Sequence, residues 1–238
     1  MATRNMLYQN AYPINEHIQI MIPKVGDVLE QEDVYYNLIT VLTAMPIDLM
    51  VELDEAHIDF TSINEYELFL LMFDGLKRRD TSLVFGSLDL TKFVLEENPS
   101  NGHFILKNPE TGAVIDKLVH NYIASVLRKI HHLEKNRRKP ANDEAKAYML
   151  ERARAKRKRN RNRSKDSELE SLIVAMVNTE QYKYDFEGTR ELSIYQFNES
   201  VRQVLKKVDY DNRMFGVYTG NINPKELSQS DLNWLTHK

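Results

Sequence analysis

Hydrophobic positions in this chain switch their spacing from one segment to the next, and each switch marks a new kind of element. His17-Ile-Gln-Ile-Met-Ile22 alternates. That puts Ile18, Ile20 and Ile22 on one face and predicts a short strand ended by Pro23. From Val25 to Ala44 the apolar positions Val28, Leu29, Val34, Leu38, Val41 and Leu42 recur at helical spacing. Pro46 interrupts that pattern and suits the first position of a new helix over Ile47–Glu55, with Leu49, Met50 and Leu53 turned inward. Ser62-Ile-Asn-Glu65 has the form of a capping box ahead of Leu68, Phe69, Met72 and Phe73. A third helix is expected from there to Lys77.

The middle of the chain changes character. Leu83-Val-Phe85 and Asp89-Leu-Thr-Lys-Phe-Val-Leu95 have strand composition. Asn98-Pro-Ser-Asn-Gly102 and Asn108-Pro-Glu-Thr-Gly112 are strong turn signals around His103-Phe-Ile-Leu-Lys107. The pattern predicts an antiparallel meander of three or four strands over residues 82–116. From Asp116 a helix follows, striped by Leu118, Val119, Tyr122, Ile123, Val126, Leu127 and Ile130. The stripe fades near Leu133. Ala145 to Asn162 has helix-forming composition but no apolar face beyond Leu150, so a projecting arm or a segment that folds on contact is expected there. Helical patterns resume at Ser167–Val177 and Glu191–Leu205, the latter with Leu192, Tyr195, Val201, Val204 and Leu205 as core candidates. A turn-rich aromatic tail runs from Met214 to Trp234. The expected class is α+β, predominantly helical, with a small antiparallel β-meander and a basic helical arm or linker. Three regions are expected: 1–139 as a helix-plus-meander domain, 140–166 as the basic arm, and 167–238 as a C-terminal helical region.

Charge sharpens that division. Residues 128–165 hold sixteen Lys and Arg against four acids, leaving sixteen bases and thirty-one acids elsewhere in a chain of net charge −3. Arg152, Arg154, Lys156, Arg157, Lys158, Arg159, Arg161, Arg163 and Lys165 place nine cations in fourteen positions. Such a block repels itself and stays solvated unless something anionic holds it. These nine residues are the candidate contacts to a polyanion or an acidic partner. One reading is a phosphate backbone, bound by counterion release without sequence readout. The other is a solvated spacer, or an arm docked on acidic protein surface such as the chain's own. The block lacks the aromatics on which single-strand binders stack bases.

The 238 residues are 42% apolar and 28% charged, enough for a packed core. There is no cysteine, which excludes disulfides, Cys-ligated zinc and thiol nucleophiles, and suits a reducing cytoplasm. No apolar stretch approaches the roughly 20 residues of a membrane span, and the first residues lack the apolar core of a secretory signal. The expectation is a soluble protein without a membrane partner. Seven histidines form no ligand pattern, and the adjacent His131 and His132 would point about 100° apart on a helix. With eight glycines there is no phosphate-cradling loop, and those of Gly216-Val-Tyr-Thr-Gly220 are expected to serve turns. Glu52-Leu-Asp-Glu55 and Glu30-Gln-Glu-Asp33 read as helix surfaces and caps rather than paired catalytic carboxylates. No catalytic, cofactor-binding or metal-ligating residue is assigned, and no cofactor or enzymatic activity is expected.

Ile22-Pro-Lys-Val-Gly-Asp-Val-Leu29, Tyr35-Tyr-Asn-Leu-Ile39, Glu65-Tyr-Glu-Leu-Phe69, Leu192-Ser-Ile-Tyr-Gln-Phe197, Gly216-Val-Tyr-Thr-Gly220 and Asp231-Leu-Asn-Trp-Leu235 carry a resemblance. Together they resemble a family of phage and prophage proteins of Gram-positive bacteria, associated with tail genes and tail-assembly chaperones or related morphogenesis factors. The resemblance implies a non-enzymatic protein of the host cytoplasm or the virion. Its partners would be tail or other virion proteins, while the sorted charge adds self-association, and the basic arm nucleic acid, as further candidate partners. Aromatic side chains dominate many interfaces, so Tyr218 and Trp234 are the candidate partner anchor, with docking of these terminal aromatics onto the protein's own core as the alternative.

Overall fold

The computed structural model describes residues 5–99, 101–160, 166–228 and 231–235. The alternating isoleucines form the strand they predict. β2 (Gln19–Met21) pairs antiparallel with β1 (Ala11–Pro13), Tyr12 opposite Ile20, and Ile18, Ile20 and Ile22 are all buried. β1 went unforeseen because three residues ending in proline carry no periodic signal. The helix expected over Val25–Ala44 is two helices, α1 (Val25–Glu30) and α2 (Glu32–Thr43), broken at Gln31 with φ −134° and ψ 37°. The break re-aims the chain, so that α1 packs on the C-terminal helices while α2 packs on the central ones.

Pro46 opens a 3-10 turn over Pro46–Leu49, which runs into α3 (Met50–Glu55). α4 (Glu65–Leu76) is capped two residues later than the sequence suggests. Asn64 Oδ1 accepts from the Tyr66 and Glu67 amides at 3.0 and 3.2 Å, and Glu67 answers to the Asn64 amide at 2.8 Å. The Ser62 hydroxyl instead donates to the Asp59 carbonyl at 2.8 Å and closes the preceding turn. Leu83-Val-Phe85 is also not a strand. It lies in the single helical turn α5 (Ser82–Phe85), which packs on β2 with Val84 and Phe85 buried. A run of four residues bears no period that separates strand from helix.

The meander has three antiparallel strands, β3 (Val94–Glu97), β4 (Phe104–Lys107) and β5 (Val114–Ile115), in the order β3-β4-β5. Gly102 and Gly112, at φ +70° and +76°, sit in the turns between them. The Tyr66 hydroxyl on α4 donates to the Ile115 carbonyl at 2.8 Å and fastens the sheet to the helices. α6 (Lys117–His131) starts at Asp116, whose carboxylate accepts from the Val119 amide at 2.8 Å. The remaining helices are α7 (Asp143–Asn160), α8 (Glu168–Val177), α9 (Phe186–Glu191) and α10 (Ile194–Tyr218). With two small antiparallel sheets and helix elsewhere, the fold is α+β and predominantly helical.

One buried cluster includes Ile20, Val28, Leu38, Phe69, Phe93 and Ile123 together with Leu169, Met176, Ile194 and Phe197. Residues 6–130 and 169–197 therefore share a core, although their sequence characters differ. Backbone pairing reinforces the union: the Val25 amide donates to the Leu192 carbonyl and the Ile194 amide to the Pro23 carbonyl, both at 2.8 Å. A second cluster gathers Ala44, Ile47, Leu53, Phe60 and Leu68 around Leu150 of α7. Among the described residues no helix is long and apolar enough to cross a membrane.

Candidate functional site

The basic segment folds back onto the protein as far as Asn160. Lys146, Leu150, Arg154 and Arg157 recur at helical spacings of four, four and three, so α7 turns them toward one side. Leu150 is buried in the second core cluster. Beyond it the helix is held by charge. Arg154 pairs with Asp54, and Arg157 donates to Glu55 at 2.8 Å, with Glu52 3.8 Å away. Lys146 meets Asp59 at 2.7 Å, and that bond, with those from Thr61, holds the Asp59 carboxyl at about 2. The acids of α3 thus supply the surface on which α7 docks. The expectation of a projecting arm is corrected for residues 143–160.

The other side of α7 is different. Arg152 lies 5.6 Å over the Tyr148 ring, and Arg152, Ala155, Lys158 and Arg159 share one solvent-facing surface. Lys156, Lys158 and Arg159 are exposed and make no ion pair among the described residues. Of the nine basic candidates, Arg154 and Arg157 are therefore engaged by the protein itself, while Arg152, Lys156, Lys158 and Arg159 face outward. Arg161, Arg163 and Lys165 lie outside the described residues.

Beside the start of α7 is a pocket of about 480 Å³. Met45, Pro46, Ile47 and Ile63 give it apolar lining, and Lys117, Arg137, Arg138 and Lys139 bring cations to it. Its inner wall includes Glu65, only 5% exposed, with Arg128 on one carboxylate oxygen and Lys135 on the other. Burial pushes the Glu65 carboxyl up, but the bonds from Lys135 and Arg128 outweigh it and leave the group below its ordinary range. Behind Glu65, His120 stacks on Phe69 at 4.4 Å between centroids and is buried with neither ring nitrogen hydrogen-bonded. Burial holds its imidazole down to about 4, so it is neutral at pH 7. Lys135–Lys139 belong to the basic stretch, but no local pattern in the sequence connects them to Lys117 or to residues 45–65. The only signal was their charge, and the apolar lining comes from distant segments.

The two aromatic anchor candidates are not brought together. Trp234 is partly buried along α10, with the Lys207 ammonium 5.6 Å from its ring and the Gln203 amide donating to its carbonyl at 3.3 Å. Tyr218 ends α10, eleven residues or roughly 16 Å of helix beyond Lys207, and is 85% exposed. Leu205 and Phe215 are exposed on the same helix. Gly216 is helical rather than in a turn, and its lack of a Cβ leaves room for the Ile222 side chain, which would stand 2.6 Å from one. Gly220, at φ +77°, does serve the turn that sends the tail back along α10. Among the described residues no three His, Asp or Glu side chains gather as a metal site.

The site is thus a charge-sorted surface: a half-docked basic helix, a cation-rimmed pocket, and a long helix with exposed apolar side chains. Residues 158–238, about a third of the chain, match the family model described as the YomV second domain, a phage-associated domain family. No curated protein and no solved structure matches the chain.

Proposed function

We propose that this is a non-enzymatic phage morphogenesis protein that acts in tail assembly through protein–protein contacts. The observation that carries the reading is the exposure of large apolar side chains on α10, with Phe215 and Tyr218 close together at its end. Leu205, Phe215 and Tyr218 stand in water at 62, 69 and 85% exposure, inside the segment that matches the phage-associated domain. Large side chains on a supported helix can be sealed by a partner with little ordering cost. The sorted charge steers association, an effect that fades as salt rises. Virion components, or a second copy of the chain, are the partners this surface suits. Co-expression with neighbouring phage genes and pull-down tests it, comparing the intact chain with Phe215→Asp/Tyr218→Asp. Capture of a tail component that the double variant loses is the expected result. A chain that captures none and stays monomeric at every salt concentration removes the reading.

A second reading rests on the outward cations of α7. Arg152, Lys156, Lys158 and Arg159 have no acidic partner among the described residues and lie on one exposed helix. They support binding to a nucleic-acid backbone, with affinity falling steeply in salt and indifferent to sequence. Titration of mixed-sequence DNA and RNA against the chain and Lys156→Gln/Lys158→Gln/Arg159→Gln tests this. Absence of binding at low salt disposes of it.

A further inference from the structure

The pocket beside α7 has a construction that protein docking does not explain. Five separate stretches wall it: Met45–Ile47, Phe60–Glu65, the Lys117–Asn121 turn of α6, the chain over 135–140, and the start of α7. A half-open bowl lined by five stretches has room for a compact ligand, and about 480 Å³ lies in the range of small-molecule sites. Its lining is divided. Met45, Pro46, Ile47 and Ile63 present aliphatic surface. Lys117, Arg137, Arg138 and Lys139 bring four cations with no ion-pair partner among the described residues. Of the two acids in the lining, Glu65 is committed to Arg128 and Lys135, whereas Asp143 at the start of α7 makes no ion pair among the described residues. Four unpaired cations against one free carboxylate leave the rim with an excess of positive charge, and arginine forks match the oxygens of phosphate. Asn121, whose side chain has no hydrogen-bond partner among the described residues, adds an amide able both to donate and to accept.

We propose that this pocket binds a phosphate-bearing ligand of the nucleotide class. The flat ring system lies on Met45, Pro46, Ile47 and Ile63, and the phosphates lie on Arg137, Arg138, Lys139 and Lys117. The site uses side-chain cations in place of the glycine-rich backbone cradle that the chain lacks. Binding alone is assigned, with no bond made or broken. The inference goes beyond the assembly reading and does not depend on it.

Isothermal titration of the full chain with ATP, GTP, adenosine and pyrophosphate tests it. A nucleoside triphosphate should bind at least about tenfold more tightly than adenosine or pyrophosphate, because each half of the lining contributes. Arg137→Gln/Arg138→Gln/Lys139→Gln should weaken the triphosphate by about tenfold or more, since exposed charge-assisted contacts are lost. These three side chains are exposed, so the fold should survive, and an unchanged melting temperature verifies it. Lys156→Gln/Lys158→Gln/Arg159→Gln, on α7 outside the pocket, should change affinity by no more than about twofold. The proposal fails if no nucleotide binds, or if pyrophosphate binds as tightly as the triphosphates. It fails equally if the α7 variant loses as much affinity as the pocket variant, or if an Asp/Glu-rich peptide displaces ATP at lower concentration.

Discussion

At Glu65, a carboxylate 5% exposed takes Arg128 on one oxygen and Lys135 on the other. At Asp54 and Glu55, carboxylates 39 and 58% exposed take Arg154 and Arg157. Both clusters join the basic stretch to the acidic remainder with the same functional groups, yet their energetics differ. Water has been removed around Glu65, so the loss of any partner leaves charge without solvation. Along α7 water remains as an alternative partner, and each pair contributes about 0.2–1 kcal/mol. The buried cluster therefore fixes where the chain after α6 must run. The exposed one orients a helix that can still be released, and it leaves that helix's other cations free for a partner.

Breaking the buried cluster should have the largest effect. Glu65→Gln keeps the size of the side chain but removes its charge, with an expected loss of about 3 kcal/mol in a urea melt. The cost stays at the lower end for buried pairs because Arg128 keeps its bond to the Thr43 carbonyl and Lys135 is a third exposed. A loss below about 1 kcal/mol would place Glu65 energetically with the exposed pairs and undo the contrast.

Two buried histidines should make stability depend on pH, His120 behind the Glu65 wall and His131 against Tyr35 and Tyr36. His120 and His131 are both pushed down to about 4 from 6.5, chiefly by burial. Around His120 the charges of Glu65, Arg128 and Lys135 also act, Glu65 favouring protonation and the two cations opposing it. In the unfolded chain these imidazoles take up protons as pH falls through 6.5, while the folded protein resists until about 4. Stability is therefore present above 6.5 and is lost across that window. Each histidine should remove roughly 2 kcal/mol between pH 7 and pH 5. His120→Phe should abolish that residue's share and flatten the pH profile of chemical denaturation. An unchanged slope would mean that His120 is solvated, and the pocket wall would not be the dry region described above.

The helices with a long apolar stripe were legible in the sequence, and so was the meander with its two glycine turns. Local competition decided what was misread. Asn64 caps α4 in place of Ser62, Gln31 splits one periodic run into two helices, and Leu83–Phe85 is too short for periodicity to classify. The acids of Glu52–Glu55 read correctly as a helix surface, but nothing local shows that this surface meets Arg154 and Arg157 about a hundred residues later. Glu65 with Arg128 and Lys135 was invisible for the same reason, at separations of 63 and 70 residues. Composition announced that opposite charges were sorted along the chain. Only the fold could say which pairs are buried, and therefore which cations remain for a ligand.

The smallest effect, and the sharpest test of the contrast, is expected from the exposed cluster. Arg154→Ala/Arg157→Ala should lower global stability by less than about 1–2 kcal/mol in total, with the loss shrinking further at high salt. Leu150 remains buried in the second core cluster, so α7 should stay anchored at its first half while its last turns fray. Hydrogen exchange should then speed up for amides from Arg154 to Asn160 and remain unchanged for α3 and α6. If outward cations rather than docking create affinity for a partner, the variant should still bind through Lys156, Lys158 and Arg159, only faster in release. Uniform exchange across the whole of α7 would show instead that the helix moves as one unit. In that case the charge contacts to Asp54 and Glu55, rather than Leu150, hold it in place.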